Sequence, residues 1–475
     1  MNYKSLKRLL VILAVIYWVF ALGIYAIANE QFHFSAAQGE APGLDFAIGE
    51  MVDGVEVTQT VKSPAGFLSS IDILAGDYDR TNSGVLHIVV EDADGNTVTQ
   101  LDVDVSTVNN GVYTAYSFEQ WAAVTPGQQL TIRMTTEGCQ SGNAITLYAG
   151  RLDAMDTAET YGFGGKAQGG TLCVRLGGYN EIRFYMTYWI IVVAVFAVFL
   201  ILCLLGYWGA KRGKSNPLVD VFYVYDHYTF LLKQLVMRDF KTKYKRSSLG
   251  MAWSFVNPLL SMAVQYVVFS TLFRSDIPNY PVYLLTGIVF FNFFNEAVTV
   301  GMTAIVGNAQ LIKKVYMPKY IYPVSKVISS CVNFVFALLP LFLVMLITKT
   351  PFKLSLFLLI FDILCLLAFV IGLVLLLATA MTFFQDTQFL WGIACMMWQY
   401  LTPVFYPVTI IPKSLLPYYT LNPLYQFISF ARTCIIDGVS PAPEAYFWCL
   451  ASALVMLAVG VVVFRKQQNK FVLYL

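Results

Sequence analysis

The chain has 475 residues, of which 57% are hydrophobic and only 13% are charged, and its mean hydropathy is +0.62. Soluble domains carry about 25% charged residues, so a soluble enzyme or a nucleic-acid-binding protein is excluded for the chain as a whole. The net charge of +2 conceals an uneven distribution, since 20 of the 29 acidic residues but only seven of the 31 Lys and Arg residues lie between Glu30 and Arg183. An acidic block of soluble character therefore interrupts a basic membrane protein.

The first apolar segment predicts a membrane anchor over residues 1–28. Leu9–Ala28 follows three cations and is about 20 residues long, which is enough for a helix to cross the hydrocarbon. The alternative is a signal peptide, because Ala26–Ala28 resembles a small-residue cleavage site. Signal peptides have shorter apolar cores of about 7–15 residues, so we favour a retained anchor and keep cleavage as the alternative.

Residues 29–185 are predicted to form an all-β domain. Short segments alternate apolar and polar side chains, and Gly- and Asn-containing turn signals separate them. These segments are Val85–Glu91, Leu101–Val105, Gln129–Met134 and Ala144–Tyr148. Several strands at this spacing predict an antiparallel sandwich of the jelly-roll type.

A second membrane helix is predicted over residues 186–210, followed by a linker over 211–225. Lys211, Arg212 and Lys214 follow it, and cations also precede the first helix, so the positive-inside rule places the β-domain outside the cytoplasm. A disulfide between Cys139 and Cys173 is compatible with that compartment. Because the sequence gives no distance between the two residues, their oxidation state stays open.

Residues 226–475 are predicted to be an α-helical membrane domain. Residues 226–246 form an amphipathic surface helix with one apolar face. Six spans follow, approximately Met251–Phe273, Val282–Val306, Ile321–Ile347, Leu354–Phe384, Gln388–Phe405 and Ala445–Phe464. With the first two helices this makes eight spans and puts both termini in the cytoplasm, although Lys349 and Lys353 then fall on the outer side. The proline-rich region 406–443 predicts two short helices that enter the outer leaflet and return.

The sequence contains no recognisable catalytic or ATP-binding site. Its three histidines all precede residue 228, no Cys, His or carboxylate cluster has metal spacing, and Lys211–Ser215 lacks the first glycine of a phosphate loop. Glu296 and Asp362 are acidic residues within apolar spans, where a structural role in a hydrogen bond between helices is the simplest interpretation. Recurrent aromatic residues would suit a conduit for a long glycan: Phe291, Phe294, Trp398, Tyr400, Phe405, Tyr406 and Tyr425.

Four motifs give residues 226–475 a resemblance to the permease subunits of type-2 ABC exporters of O-antigen, capsular polysaccharide and teichoic acid. They are the basic run Arg238–Gly250, Trp253 with Asn257-Pro258, the segment Asn308–Lys319, and Leu421–Ile428. The resemblance implies six transmembrane helices with re-entrant gate helices, a homodimer bound to two ATPase subunits that hold ATP and Mg, and a lipid-linked glycan as substrate in the bacterial cytoplasmic membrane.

The resemblance also implies roles for individual residues. The substrate headgroup would meet the interfacial cations Arg238, Lys241, Lys243, Lys245 and Arg246. The ATPase would meet a coupling helix that includes Asn308, Gln310, Lys313, Lys314, Tyr316 and Lys319. The outer gate would be built around Pro407, Pro412, Pro417, Asn422 and Pro423.

The β-domain departs from the common pattern of that family. A jelly roll beside a glycan exit suggests a carbohydrate-binding module, with Tyr113, Tyr116 and Trp121 as glycan contacts. Its acidity argues against a phosphate-rich teichoic acid. A neutral or cationic glycan fits better, as does a role that positions the exit or contacts another envelope protein. Two other functions stay open: a type-2 ABC permease for another lipid or drug-like amphiphile, and a membrane glycosyltransferase with a binding module. The missing catalytic constellation disfavours the enzyme.

Overall fold

The computed structural model describes residues 3–40, 42, 45–108, 110–150, 160–211, 217–245, 250–272, 279–314, 317–408, 411–412 and 415–475. The chain divides into two compact units. The helical unit comprises Met1–Gln31 and Met186–Leu475, and the β unit comprises Phe32–Tyr185.

Helices account for almost all of the first unit. In chain order they are α1 (Tyr3–His33), α2 (Phe184–Lys211), α3 (Pro217–Tyr244), α4 (Trp253–Leu272), α5 (Tyr280–Met302), α6 (Ala304–Gly307), α7 (Ala309–Lys314), α8 (Ile321–Ile347), α9 (Leu359–Phe383), α10 (Thr387–Leu401), α11 (Leu416–Thr420), α12 (Pro423–Arg432), α13 (Pro443–Gln467) and α14 (Phe471–Tyr474).

Seven helical segments among the described residues are long and apolar enough to cross a membrane. They are Leu10–His33, Phe184–Leu205, Gly250–Phe269, Tyr280–Met302, Ile321–Ile347, Leu354–Phe383 and Pro443–Tyr474. The predicted span over Gln388–Phe405 is the exception, because α10 has only 15 residues and a helix of that length rises about 22 Å. The chain leaves the helix after Leu401, and short helices complete this region.

Helices α9 and α13 pack with their backbones in close approach at a pair of glycines. A Cβ atom added to Gly460 would lie 2.0 Å from the carbonyl oxygen of Gly372, and one added to Gly372 would lie 2.4 Å from the carbonyl oxygen of Met456. Small residues permit this close contact between apolar helices. Any larger side chain at either position would force the two helices apart.

The β unit contains antiparallel strands in two sheets. They are β1 (Phe34–Gln38), β2 (Phe46–Glu50), β3 (Glu56–Lys62), β4 (Phe67–Gly76), β5 (Val85–Glu91), β6 (Thr97–Asp104), β7 (Val112–Ala123), β8 (Gln129–Glu137), β9 (Thr146–Gly150), β10 (Thr160–Phe163), β11 (Lys166–Gly169), β12 (Thr171–Leu172) and β13 (Val174–Glu181). One sheet contains the order β1-β13-β4-β7 and the other contains β3-β8-β5-β6.

The connectivity of these eight strands is that of a jelly roll, as predicted. From β3 to β8 the chain crosses repeatedly between the two sheets, which is the arrangement of paired Greek keys. The predicted alternation is also confirmed, since Leu86, Ile88 and Val90 of β5 are buried while their sequence neighbours are partly exposed. These apolar side chains meet the inward residues of β4 and β13 in one core.

The structure contains no disulfide between Cys139 and Cys173. Cys139 follows β8, and its Sγ donates to the carbonyl oxygen of Ser83 at 3.8 Å. Cys173 lies between β12 and β13 and interacts with the Tyr113 hydroxyl. Burial raises the pKa of the Cys173 thiol to about 11 and also raises that of Cys139. Both thiols are free in the structure, so the disulfide that the sequence left open is not formed there.

Candidate functional site

Helix α3 carries the basic run that the sequence singled out. Its predicted apolar face is confirmed by the burial of Leu235, whereas Arg238 and Lys241 are exposed. A cavity of about 560 Å³ is lined by Arg238, Lys241 and Lys245 together with Phe240, Thr242 and Met251. Arg238 is paired with Asp239 at 3.1 Å, so Lys241 and Lys245 provide most of the positive potential that suits an anionic group. Arg246 lies outside the described residues.

Lys243 does not line this cavity and forms an ion pair with a residue of α5 instead. Its Nζ lies 2.7 Å from Oε1 of Glu296 on α5, and the same oxygen accepts a hydrogen bond from Nδ2 of Asn333 on α8 at 2.9 Å. The group lines a cavity of about 310 Å³ that also includes Trp253 and Asn257. The membrane-embedded acid noted in the sequence therefore has a cationic partner, which the sequence alone did not identify.

The segment expected to be the coupling helix forms α7, with Ile312 buried on one side and Lys313 and Lys314 exposed on the other. Asn308 precedes the helix and donates from Nδ2 to the carbonyl oxygen of Ala304 at 2.7 Å. Gln310 is exposed, while Tyr316 lies outside the described residues.

The C-terminal residues pack against the same region. Phe471 shares a buried cluster with Ile312 and Phe464. Lys319 donates to the carbonyl oxygen of Gln468 at 2.5 Å and lies 5.8 Å from the Phe471 ring centroid. Burial lowers the pKa of Lys319, so this lysine supports the C-terminal turn and is less accessible than Lys313. Sequence reasoning missed this contact, although the apolar run after Lys470 was a signal for it.

Asn422 organises the predicted gate region. It caps α12 by accepting a hydrogen bond from the backbone N–H of Leu424, and its side chain also bonds to Trp398 Nε1 at 2.8 Å and Thr402 Oγ1 at 2.9 Å. Pro417 and Pro423 occupy the first turns of α11 and α12, where proline is favoured. Pro407 and Pro412 precede these helices and are not themselves helical.

Arg432, at the end of α12, is the principal residue that sequence reasoning missed. It is 8% exposed. Its guanidinium donates to the carbonyl oxygens of Pro403 at 2.7 Å, Val404 at 2.8 Å and Tyr283 at 3.2 Å. It also lies 3.4 Å from the centroid of the Tyr283 ring. One side chain thus ties α12 and the segment after α10 to α5, and it supplies donors to the carbonyls of Pro403 and Val404, which lie outside any helix.

The predicted channel aromatics do not form one continuous lining in the described protomer. Phe291, Phe294 and Phe405 are buried in helix packing, and Phe294 contacts Trp398 at a centroid distance of 5.3 Å. Tyr400 is 66% exposed. The remaining two, Tyr406 and Tyr425, are partly buried. Asp362 is fully buried beside Cys449, and the described residues contain no cluster of three or more metal-ligating side chains.

The three aromatics expected to contact glycan in the β unit do not share one face. Tyr116 packs against the domain core. Tyr113 donates to the carbonyl oxygen of Pro42 at 2.9 Å, and burial raises its pKa. Trp121 is 49% exposed and stacks on Tyr179. The expectation that Tyr116 meets a ligand is therefore corrected, because its ring helps to form the core.

These observations define a multi-pass helical membrane protein with a basic interfacial helix, broken gate-like helices and an inserted jelly-roll domain. Residues 231–436 match the family described as "ABC-2 type transporter". The chain is 30% identical to the "O-antigen export system permease protein RfbA" of Myxococcus xanthus over 250 residues, which cover 95% of that protein and 51% of this chain. It therefore belongs to the ABC-2 type transporter family.

Two further relatives are similar over comparable lengths. The protein of the same description from Klebsiella pneumoniae is 29% identical, with 93% of its length and 51% of this chain covered. The "Polysialic acid transport protein KpsM" of Escherichia coli is 22% identical, with 93% of its length and 50% of this chain covered. About half of this chain is therefore additional to the region shared with each relative.

Proposed function

We propose that this chain is the membrane permease subunit of an ATP-driven exporter of a lipid-linked polysaccharide. The observation that carries the proposal is its similarity, over nearly the full length of each relative, to permeases named for export of O-antigen and transport of polysialic acid. The transport subunit hydrolyses no ATP itself. ATP and Mg bind to a separate ATPase subunit, and two permeases assemble with two ATPases.

The cavity beside α3 supports an anionic headgroup as the part of the substrate that binds first. Arg238, Lys241 and Lys245 line it, and guanidinium and ammonium groups form charge-assisted hydrogen bonds with phosphate oxygens. Lys243 lies outside this cavity and is paired with Glu296, and Arg238 is paired with Asp239. The headgroup of a lipid-linked glycan is a phosphate or pyrophosphate, so these three cations are the proposed capture site.

The exposed face of α7 is the proposed contact with the ATPase. Lys313 and Lys314 project from it while Ile312 anchors the helix to the core. An anchored helix with an exposed basic face can transmit a displacement of the partner to α8 and α9. In the proposed topology α10 together with the segment to Phe405 forms an eighth crossing, so that both termini are cytoplasmic and residues 29–185 are extracytoplasmic. This orientation agrees with the cations that flank the first two helices.

The deciding experiment is the ATPase activity of the chain copurified with its partner ATPase in lipid nanodiscs. We expect lipid-linked glycan from the host to stimulate hydrolysis, and we expect Lys313→Glu with Lys314→Glu to reduce copurification of the ATPase. Lys349→Glu, an exposed lysine between α8 and α9, is the matched charge-reversal control.

The same assay separates the alternatives. Stimulation by a simple phospholipid or a drug-like amphiphile, with no response to any glycan, would favour a permease for such compounds. Sugar transfer without an ATPase partner would favour the glycosyltransferase. Failure of any ATPase to copurify would contradict the transporter assignment.

A further inference from the structure

The outward face of the β1-β13-β4-β7 sheet carries side chains that the domain core does not use. Strand register places three outward pairs side by side: Tyr179 with Phe67, Gly177 with Ser70, and Arg175 with Asp72. The residues that alternate with them, such as Leu176 and Ile71, are buried in the core. Outward residues on one strand are about 6.6–6.8 Å apart, so the three rows extend over about 13 Å.

The first row is an aromatic platform. The Trp121 indole stacks on Tyr179 at a centroid distance of 4.7 Å and an interplanar angle of 18°. The edge of the same indole meets Phe34 at 5.3 Å, and Phe67 lies at 6.4 Å. Three rings therefore fix an indole that remains 49% exposed. A large aromatic surface held in place before binding loses little conformational entropy on contact with a ligand.

The second row is a low floor. Gly177 pairs with Ser70 across β13 and β4, and Ser70 pairs with Ser117 across β4 and β7. A Cβ atom at Gly177 would lie only 2.4 Å from Ser70 Oγ, so a side chain at this position would have to displace the Ser70 hydroxyl. Gln38 flanks Gly177 on the other side, and Gly177 itself is buried. Ser70 is partly exposed and Ser117 is exposed, so these two serines provide the accessible hydroxyl groups between the taller rows.

The third row is polar and electrically balanced. The Asp72 carboxylate accepts hydrogen bonds from Gln38 Nε2 and from Arg175 Nε, the latter at 2.9 Å. The guanidinium lies 4.6 Å from the centroid of the Tyr113 ring. Asp72 is only 5% exposed, whereas the Arg175 side chain is 32% exposed. A buried carboxylate thus orients a partly exposed guanidinium, which has five N–H donors in a fixed geometry.

We propose that this face binds an uncharged stretch of the exported glycan, with Trp121 stacking on a sugar ring and Arg175 donating to sugar hydroxyls. A sugar ring carries C–H groups on its faces and hydroxyls at its edge, which match an aromatic row and a polar row separated by a low floor. The length of about 13 Å suits a short oligosaccharide rather than a single sugar. The choice of occupant rests on the proposed export function.

Charge limits the class of ligand further. Residues 30–183 contain 20 acidic and seven basic residues, and a surface of that sign repels polyanions. On the face itself Arg175 is already paired with Asp72. A phosphate-rich or uronic-acid-rich segment is therefore disfavoured here, even where the lipid end of the same substrate is anionic.

The test measures saccharide binding to the full chain in lipid nanodiscs, without the ATPase, by isothermal titration. The probes are the delipidated surface polysaccharide of the host, cellohexaose and maltohexaose as unrelated neutral glycans, and hexagalacturonate as a polyanion. We expect the host polysaccharide to bind more tightly than the other three. Trp121→Ala should weaken that binding at least tenfold, and Ser117→Gln, which raises the floor at an exposed position, at least threefold.

Phe46→Ala is the matched control, because Phe46 is a 42% exposed aromatic in the same unit and should change affinity less than twofold. Equal affinity of wild type and Trp121→Ala, or no binding of any saccharide to the wild type, would overturn the proposal. Preference for hexagalacturonate, or equal binding of all neutral glycans, would exclude an uncharged stretch of the exported glycan as the specific ligand of this face.

A membrane contact is the competing role for the platform. The fluorescence of Trp121 is the part of the signal that Trp121→Phe removes. If brominated lipids quenched this fluorescence and no saccharide altered it, the platform would contact the membrane, and that result would also overturn the proposal. ATPase stimulation by lipid-linked glycan, measured separately, reports on the export function. Stimulation that persists in Trp121→Ala would leave export standing whatever the binding result.

Discussion

Replacement of Arg432 by methionine should open the segment that follows α10. The substitution removes donors from the carbonyl oxygens of Pro403, Val404 and Tyr283. The Tyr283 carbonyl lies within α5 and keeps its helical partner, so two buried carbonyls lose their donor at about 1–3 kcal/mol each, a gross loss of about 2–6 kcal/mol. The desolvation of the wild-type guanidinium is relieved at the same time. We therefore expect a net local loss of about 2 kcal/mol.

Hydrogen exchange measured by mass spectrometry in nanodiscs is the suitable assay. A local loss of about 2 kcal/mol corresponds to roughly 30-fold faster exchange at amides that exchange through this local opening. The effect should be confined to residues 402–406 and the start of α12. Arg432→Lys keeps the charge but loses the planar fork and the stacking on Tyr283, so an intermediate effect of about 1 kcal/mol is expected.

Arg465→Met is the control, since Arg465 is exposed near the end of α13 in the same unit. It should leave exchange at 402–406 unchanged. If the amides of residues 402–406 in Arg432→Met exchanged within threefold of the wild-type rate, the buried guanidinium would not be what holds this segment, and the prediction would be wrong.

Three other outcomes are expected. Gly287→Ala should lower the melting temperature of the helical unit, because the added Cβ would lie 2.8 Å from Arg432 Nη2 and 3.0 Å from the Val404 carbonyl oxygen. Such overpacking costs about 1–3 kcal/mol. An unchanged melting temperature would contradict this packing. A double-mutant cycle on Lys243 and Glu296 should give a salt-sensitive coupling of about 0.2–1 kcal/mol, because both side chains are more than a third exposed. Zero coupling at low salt would contradict this prediction. The pKa of His87 is raised, chiefly by its hydrogen bond to Asp102 and also by Glu137. The stabilisation by protonated His87 is therefore complete below the unfolded pKa of about 6.5 and is lost as the pH rises through the folded pKa. His87→Gln should lower the unfolding temperature of the β unit slightly at pH 5.5 and leave it unchanged at pH 8.5.

The sequence by itself determined the features that depend on short-range patterns. Apolar runs of sufficient length form the candidate membrane-crossing segments that begin at Leu10, Phe184 and Ile321, because membrane insertion depends on the summed hydropathy of neighbouring residues. Alternation with period two became strands such as β5 and β8. The amphipathic spacing in α3 likewise predicted its buried face.

Some errors could have been avoided from the sequence. Tyr113 and Tyr116 are three residues apart, and side chains at that separation point to opposite faces of a regular strand, so they were poor candidates for one shared surface. Trp121 was less accessible to such reasoning. Between the pairs Leu68–Ala122 and Ser70–Ser117, β7 contains more residues than β4, and this irregularity changes which side chains face outward.

Only the tertiary structure decided the contacts between distant segments. The partners of Lys243, Arg432 and Asp72 lie 53, 149 and 103 residues away in sequence, and no local period encodes such a pairing. Their positions depend on how helices and strands pack after they form, and a buried charge is tolerated only where that packing supplies its partners. Composition could thus indicate that charged and aromatic groups were present, but folding alone brought Trp121 onto Tyr179 and the Arg432 guanidinium onto its three carbonyls.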